Sequence, residues 1–489
     1  MLIYAVDIGT TNIKVVLFDE MLRRLAMAAT PAVYDQVGDR VEFSADALFS
    51  SVIELIGRCH RDADPGRQNA TIALTGQAES LVVLGSSGEP VFPGMSWLDD
   101  RAGREAAAIC DHFDGDTAFA VTGQPAASPT WPAAKLLWLA QNEPKVMDGA
   151  TSVLMIKDEL IRRFTGEAFG EVSTRGFSYF YDVANRCYWP EMLDFIGISD
   201  SVLPQIVPAG TDLGPVRAEI ADRLPPAVCY RVNAGALDHF CAMAGTDSYC
   251  PGIVSESAGT VLSLSLLTSG WTFDPGHKVS FHNGFGVDDI VLFSGVDSGG
   301  IALEWYRREG LADMAYSELE RQLRARPPEG APIFLPYLTG VNPPDYFTDA
   351  RGAFLDLELG HTRVDLAFAV EEGIAHLLRR NVDYLSGGSI QQIVSTGGGS
   401  ESSFFNQLKA DVCDIDVVVP EEREATCRGA AVLALLAAGE IDSLADTGRL
   451  TRPAATRHRA RTTADREDRY RRFDNYLKLL FARATRKVQ

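Results

Sequence analysis

The sequence predicts an α/β protein of two large domains that open alike, and three observations carry that prediction. The chain has 489 residues, too many for one hydrophobic core. Residues 3–19 place two β-branched runs around a small Gly-Thr turn, the pattern of a hairpin. Residues 254–264 (VSESAGTVLSL) repeat strand, small-residue turn and strand. The boundary is expected near residue 245, giving domains 1–245 and 246–489.

In chain order, residues 3–7, 13–19, 70–75 and 79–84 read as strands, and 46–61, 99–112, 133–143 and 157–165 have helical periodicity. Segment 167–190, rich in Gly, Ser and aromatics, reads as irregular, and Pro-rich 204–226 as surface connection. In the second half, strands are expected at 290–296, 392–396 and 415–419, and helices at 300–309, 363–385, 402–413 and 427–438. Residues 451–489 carry 12 Lys/Arg and 4 Asp/Glu, leaving a net charge of −29 on residues 1–450. Tyr470, Phe473, Tyr476, Leu477 and Leu480 recur there at helical spacing, so a basic helix docked on the acidic body is expected rather than an interaction arm.

The net charge of −21 argues against nucleic-acid or anionic-membrane partners. The eight cysteines form no CxxC pair and stand beside no His cluster, which argues against zinc and fits a reducing compartment. The chain starts directly in a strand, and its longest apolar run, near 430–438, is too short to span a bilayer. A cytoplasmic location is expected.

Four small-residue turns could approach a ligand. At the first hairpin tip, successive N–H groups of Gly9, Thr10 and Thr11 could wrap phosphate oxygens, with Lys14 as a nearby cation. Asp7, at the strand end, would be useful beside a phosphate-bound Mg²⁺; an ordinary hairpin is the plain alternative. Gly259-Thr260 echoes this tip. Gly397-Gly398-Gly399 links a strand to a helix, and Asp297-Ser298-Gly299-Gly300 does the same. Together they point to one nucleotide in a cleft between domains. Asp238, between small and apolar neighbours, could accept a proton from a hydroxyl attacking a γ-phosphate, or could cap the helix that follows. His239 could do the same or bind substrate. Gln77, Glu79 and Trp97 offer hydrogen-bonding groups beside an indole face, which suits a polyhydroxylated substrate; core packing for Trp97 and a helix cap for Asp99 are the plain alternatives.

Taken together the motifs resemble the FGGY family of carbohydrate kinases, which includes glycerol kinase and xylulokinase. The resemblance runs from residue 3 to about 440 and rests on DIGTTNIK (7–14), GQAES with SWLDDR (76–101), GALDHF (235–240), FLPYLTGVNPPDYFTDARGAF (334–354) and STGGGSESSFFNQLKADV with EATCRGAAVLALLAAG (395–439). It implies two ribonuclease-H-like, actin-type domains closing on ATP. It implies that Asp7, Gly9, Thr10, Thr11 and Lys14 meet phosphate and Mg²⁺, with Asp7 on the metal, and that Gly259 and Thr260 form a second phosphate turn. Gly299, Gly300, Gly397, Gly398 and Gly399 would line the nucleoside side. Asp238 matches the family's catalytic base; Gln77, Glu79, Trp97 and His239 fall where sugar-contacting residues sit.

The chain departs from its relatives near the substrate. Ala78 stands where glycerol kinases carry Arg, and Ala78-Glu79 where xylulokinases carry Met-His. Thr130 resembles the position of the glycerol-site Tyr, and His239 stands where glycerol kinases have Gln and xylulokinases Asn. Asp356 replaces a usual Gly, and Glu371 a usual apolar residue. The expected activity is ATP-dependent phosphorylation of a small sugar or polyol. A ketopentose such as xylulose comes first because WLDDR resembles a xylulokinase segment, and a four- or five-carbon polyol is the alternative. An actin-type ATPase without kinase activity, or a sugar sensor without turnover, are the rivals. A homodimer is left open.

Overall fold

The protein is described from a computed structural model that covers residues 1–268, 272–296, 298–325, 330–338, 344, 347, 350–386, 389–451, 454–461 and 463–481. Asp297 and much of 339–349, both within quoted motifs, lie outside the described residues, as does 482–489. The chain divides into two compact units: Met1–Tyr249 with Ser269–Val291 and Glu424–Arg452, and Cys250–Thr268 with Leu292–Arg423 and Pro453–Gln489. Residues 272–291 and 424–451, expected with the second domain, thus fall in the first unit.

Unit one is built on a six-stranded sheet in the order Asp212–Pro215, Tyr230–Leu237, Ala70–Gly76, Leu2–Ile8, Asn12–Asp19, Arg24–Pro31. The hairpin strands pair antiparallel, whereas Leu2–Ile8, Ala70–Gly76 and Tyr230–Leu237 run parallel. Tyr4, Val6, Leu17, Ile72, Leu74 and Val232 are buried against Phe49 and Val52 of helix Ala45–Ala63. Each such side chain contributes about 1.5–3 kcal/mol on leaving water. The expected strand 79–84 is Leu81–Leu84, and it belongs to a separate five-stranded sheet.

Unit two repeats the plan in the order Ile290–Val296, Leu262–Thr268, Ile253–Ala258, Gln392–Thr396, Val417–Pro420, Ala455–His458. Again an antiparallel hairpin is followed by two parallel neighbours and an antiparallel edge strand. The echo between the two openings is therefore a structural repeat.

Three expectations are corrected. Segment 167–190 holds strand Phe169–Glu171 and helix Val172–Arg175. Segment 204–226 holds strands Gln205–Val207 and Asp212–Pro215, the latter pairing with a register shift that accommodates its Gly and Pro. The helix expected over 99–112 starts at Gly103, because buried Asp99 is instead spent on the Val41 N–H (2.8 Å) and Arg101 (2.6 Å).

The basic helix Ala464–Phe481 docks within unit two. Phe473 and Leu477 are buried, and Arg469 forks onto buried Glu372 at 2.9 Å. Leu480 is 47% exposed, so the apolar stripe is narrower than expected. Asp356, in the left-handed region at φ +60°, holds Arg472 and Tyr476 of this helix. An Asp tolerates that conformation better than most residues, and here it ties down the helix. No described helix is long and apolar enough to cross a membrane.

Candidate active site

The parallel register of unit one brings the ends of three strands together. Ile8 pairs with Gly76, and Gly76 with Leu237. Asp7 therefore lies at the same edge as Gln77 and Asp238, the residues that follow the other two strands. Carboxyl ends of parallel strands are where α/β sheets bind ligands. The Tyr230–Leu237 strand reaches this edge only through a bulge between Asn233 and Ala236. Gly235 takes it at φ +55°, where a Cβ would lie 1.6 Å from the Leu74 carbonyl oxygen; only glycine fits.

Asp238 opens helix Asp238–Gly245 but does not cap it: Leu237 holds the cap position, without a side-chain bond. The Asp238 carboxylate accepts the His239 N–H at 2.6 Å and remains 30% exposed, with His239 Nε2 at 4.0 Å. Behind it, the Leu237 N–H donates to Ser173 Oγ (2.9 Å), Ser173 donates to Glu171 (2.7 Å), and Glu171 pairs with Lys157 (2.7 Å). These groups are buried, so the base of Asp238 rests on a fixed polar network.

Asp7 is half-buried. Burial pushes its carboxyl up to about 7, the Asp238 charge adds to the rise, and Lys14 opposes it. Lys14 was expected to meet phosphate; its ammonium bonds Glu424 at 3.0 Å. Burial works against that charge, but the Glu424 hydrogen bond and charge outweigh it and raise the Lys14 pKa. Glu424 was not anticipated, although it stands in a quoted motif. The turn itself closes through Gly9 N–H to Asn12 O at 3.1 Å. Among the described residues no group of three or more His, Cys, Asp or Glu could hold a metal alone. The Asp7 carboxylate nonetheless suits Mg²⁺, which typically needs only one or two when phosphates supply other ligands.

The sugar-side candidates gather next to this turn. The Trp97 indole N–H donates to Thr10 Oγ1 at 3.0 Å, and the Trp97 backbone N–H to Ser80 Oγ at 3.0 Å. Gln77 is buried; its Nε2 donates to Tyr34 at 3.3 Å, while its Oε1 has no hydrogen-bond partner. Such an orphan acceptor is costly unless a ligand donates to it. Glu79 sits at φ +66°. Burial raises its carboxyl to about 7, against Lys135 and a hydrogen bond from Thr130. Lys135, missed from sequence, is buried and donates to the Ser96 and Glu79 carbonyls at 2.6 and 3.2 Å; burial lowers it to about 8. Its place three residues into an apolar helix was the available signal.

In unit two, Gly259, Thr260, Gly299, Gly300 and Gly397–Gly399 do converge. Gly300 N–H donates to Gly259 O and Ile301 N–H to Thr260 O, both at 3.0 Å. A Cβ on Gly300 would lie 2.5 Å from Gly259 O, and one on Gly299 2.7 Å from Leu262 N. These two glycines are thus required by turn-on-turn packing. Gly397, at φ +82°, and Gly399 press on Ala258, whereas a Cβ on Gly398 would meet nothing within 4 Å. Gly398 alone of the three borders open space. In the hairpin register Ser257 occupies the place of Asp7, so only the first turn carries a carboxylate.

Two family models match: the N-terminal domain of the FGGY family of carbohydrate kinases over residues 2–245 and its C-terminal domain over 257–438. The chain is 27% identical over 459 residues to the xylulose kinase of Lactococcus lactis, covering 90% of this chain and 89% of that one. It is 28% identical over 473 residues to the autoinducer-2 kinase of Klebsiella pneumoniae, covering 91% and 87%. The solved ligand-bound xylulose kinase of Lactobacillus acidophilus superposes with a TM-score of 0.90 at 23% identity over 99% of both chains.

Proposed function

The chain belongs to the FGGY family of carbohydrate kinases, and from that premise we propose that it transfers the terminal phosphate of ATP to a hydroxyl of a ketopentose, with Asp238 as general base. One observation carries the assignment of the base: a part-exposed carboxylate at the end of a central parallel strand, free of capping duty and electrostatically coupled to Asp7. Asp238 takes the hydroxyl proton as the oxygen attacks the terminal phosphorus; the new O–P bond forms as the bond to the departing ADP oxygen breaks. Asp7 would hold Mg²⁺, which when bound offsets charge on the phosphates. Thr10 and Thr11 orient phosphate, and Gly259, Thr260 and Gly398 border the nucleotide. The orphan Gln77 Oε1 and the half-buried Glu79 carboxylate call for hydroxyl donors, as a neutral polyhydroxylated substrate offers.

ADP release across pentuloses, hexuloses, tetritols, pentitols, glycerol and autoinducer-2 tests the reading. The highest kcat/KM is expected with a pentulose; a preference for a tetritol or pentitol would move the assignment to a polyol, and ADP release indifferent to any acceptor would overturn it. Trp97→Ala should raise the sugar KM well above tenfold while changing the ATP KM less, since the indole presents about 150–250 Å² of contact surface. Equal losses in both would mark Trp97 as a brace for Thr10 only.

A further inference from the structure

We infer that unit one carries a second anion site, for a phosphate group, at the opposite edge of its central sheet. Four guanidinium groups, Arg162, Arg163, Arg217 and Arg223, line a single cavity of about 280 Å³. The chain as a whole carries −21, so this concentration of cations runs against its average charge. The same lining holds one carboxylate, the exposed Glu89, and the cations it leaves uncovered repel one another unless further anions join them.

The protein's own anions cover only part of this charge. Buried Glu159 serves both Arg162 and Arg163, at 2.7 and 2.6 Å. Arg163 also meets Asp46, whose side chain is 64% exposed. Arg217 approaches exposed Glu219 at 3.3 Å, yet its buried Nε has no hydrogen-bond partner. Among the described residues Arg223 pairs with no carboxylate. Arg163 and Arg223 both lie over the Phe49 ring, 5.3 and 5.4 Å from its centroid, which orients two guanidinium planes without using their N–H donors. Arg162 and Arg163 are spent on Glu159, the Gly88 carbonyl and Asp46, which leaves Arg223 and the Arg217 Nε to meet the oxygens of a phosphate, a group arginine binds bidentately.

The cavity is separate from the catalytic edge. Arg217 N–H bonds Phe164 O and the adjacent Val216 N–H bonds Tyr230 O. Tyr230 pairs with Ala70 and Ala70 with Leu2, at the starts of the three parallel strands. Asp7 and Asp238 stand at their ends, roughly 20 Å away for seven residues at about 3.3 Å each. A cavity of this size takes inorganic phosphate or the phosphate end of a small ester.

Isothermal titration of the full chain tests the site, with Mg·ADP present at saturation to occupy the nucleotide site. Inorganic phosphate and glucose 6-phosphate are the probes. The wild type should bind one equivalent, and an Arg217→Ala/Arg223→Ala double variant should bind at least tenfold more weakly. Both side chains reach solvent, so an unchanged melting temperature is expected and shows that the variant is folded. Arg223→Lys, which keeps the charge but loses the fork, should fall between. Tighter binding of glucose 6-phosphate identifies an ester ligand, and equal binding identifies the free anion. Either supports the site. No binding by the wild type, or equal affinity in the double variant, overturns it.

Discussion

Asp238→Asn should lower kcat by about 10²–10⁴-fold, the usual worth of a general base, while ATP affinity changes little. The substitution separates the two roles that the sequence leaves open. Asparagine is as good a helix cap as aspartate, so a capping residue would tolerate it. A base would not, because the amide cannot take the hydroxyl proton. The variant should also fold normally: Leu237, not Asp238, holds the cap position, and the Ser173–Glu171–Lys157 network below is untouched. Steady-state ADP release with saturating sugar, paired with a direct ATP-binding titration, measures both quantities. Near-wild-type kcat would remove Asp238 as the base; a parallel collapse of ATP binding would assign it to the nucleotide instead.

The sequence made local structure legible and left distant pairing hidden. Each hairpin could be read because its two strands are neighbours in the chain and its turn chemistry lies between them. The parallel strand that delivers Asp238 was missed. Its Asn233-Ala234-Gly235-Ala236 run lacks β-branched residues because the bulge needs glycine beneath the Leu74 carbonyl. The pairing of Lys14 with Glu424 was not legible because 410 residues separate the two. Gly299 and Gly300 show a further limit. A glycine demanded by a neighbouring backbone and one demanded by a ligand look alike in sequence, and here the neighbour is the tip at Gly259 and Thr260. The basic tail was readable because Phe473 and Leu477 keep helical spacing, whereas its anchor at Asp356 required the fold. Buried Lys135 and the half-buried Thr130 and Glu79 form one polar group that no single motif announced.

Glu371→Gln should stabilise the protein, by an amount that grows with pH. Glu371 is buried on helix Arg363–Ser386, with Oε2 lacking a hydrogen-bond partner. Burial, helped by the Glu320 charge, raises its carboxyl to about 8 from 4.5. The folded state thus keeps a proton that the unfolded chain releases near its ordinary pKa. Below that pH both states are protonated and there is no difference. Between about pH 5 and 8 the folded state binds more protons, so wild-type stability falls as pH rises, by up to about 1.4 kcal/mol per pH unit from this group. Glutamine does not titrate, so the gap between variant and wild type should open to about 3–4 kcal/mol by pH 8. For a protein of this size, melting temperatures taken from pH 5 to 8 should diverge by several degrees. Parallel curves would mean that water or a moving side chain relieves the Glu371 carboxylate. If the gap opens as expected, the buried Glu371 carboxyl is a standing stability cost, and Glu371→Leu should recover as much as Glu371→Gln by filling the same site without a polar atom.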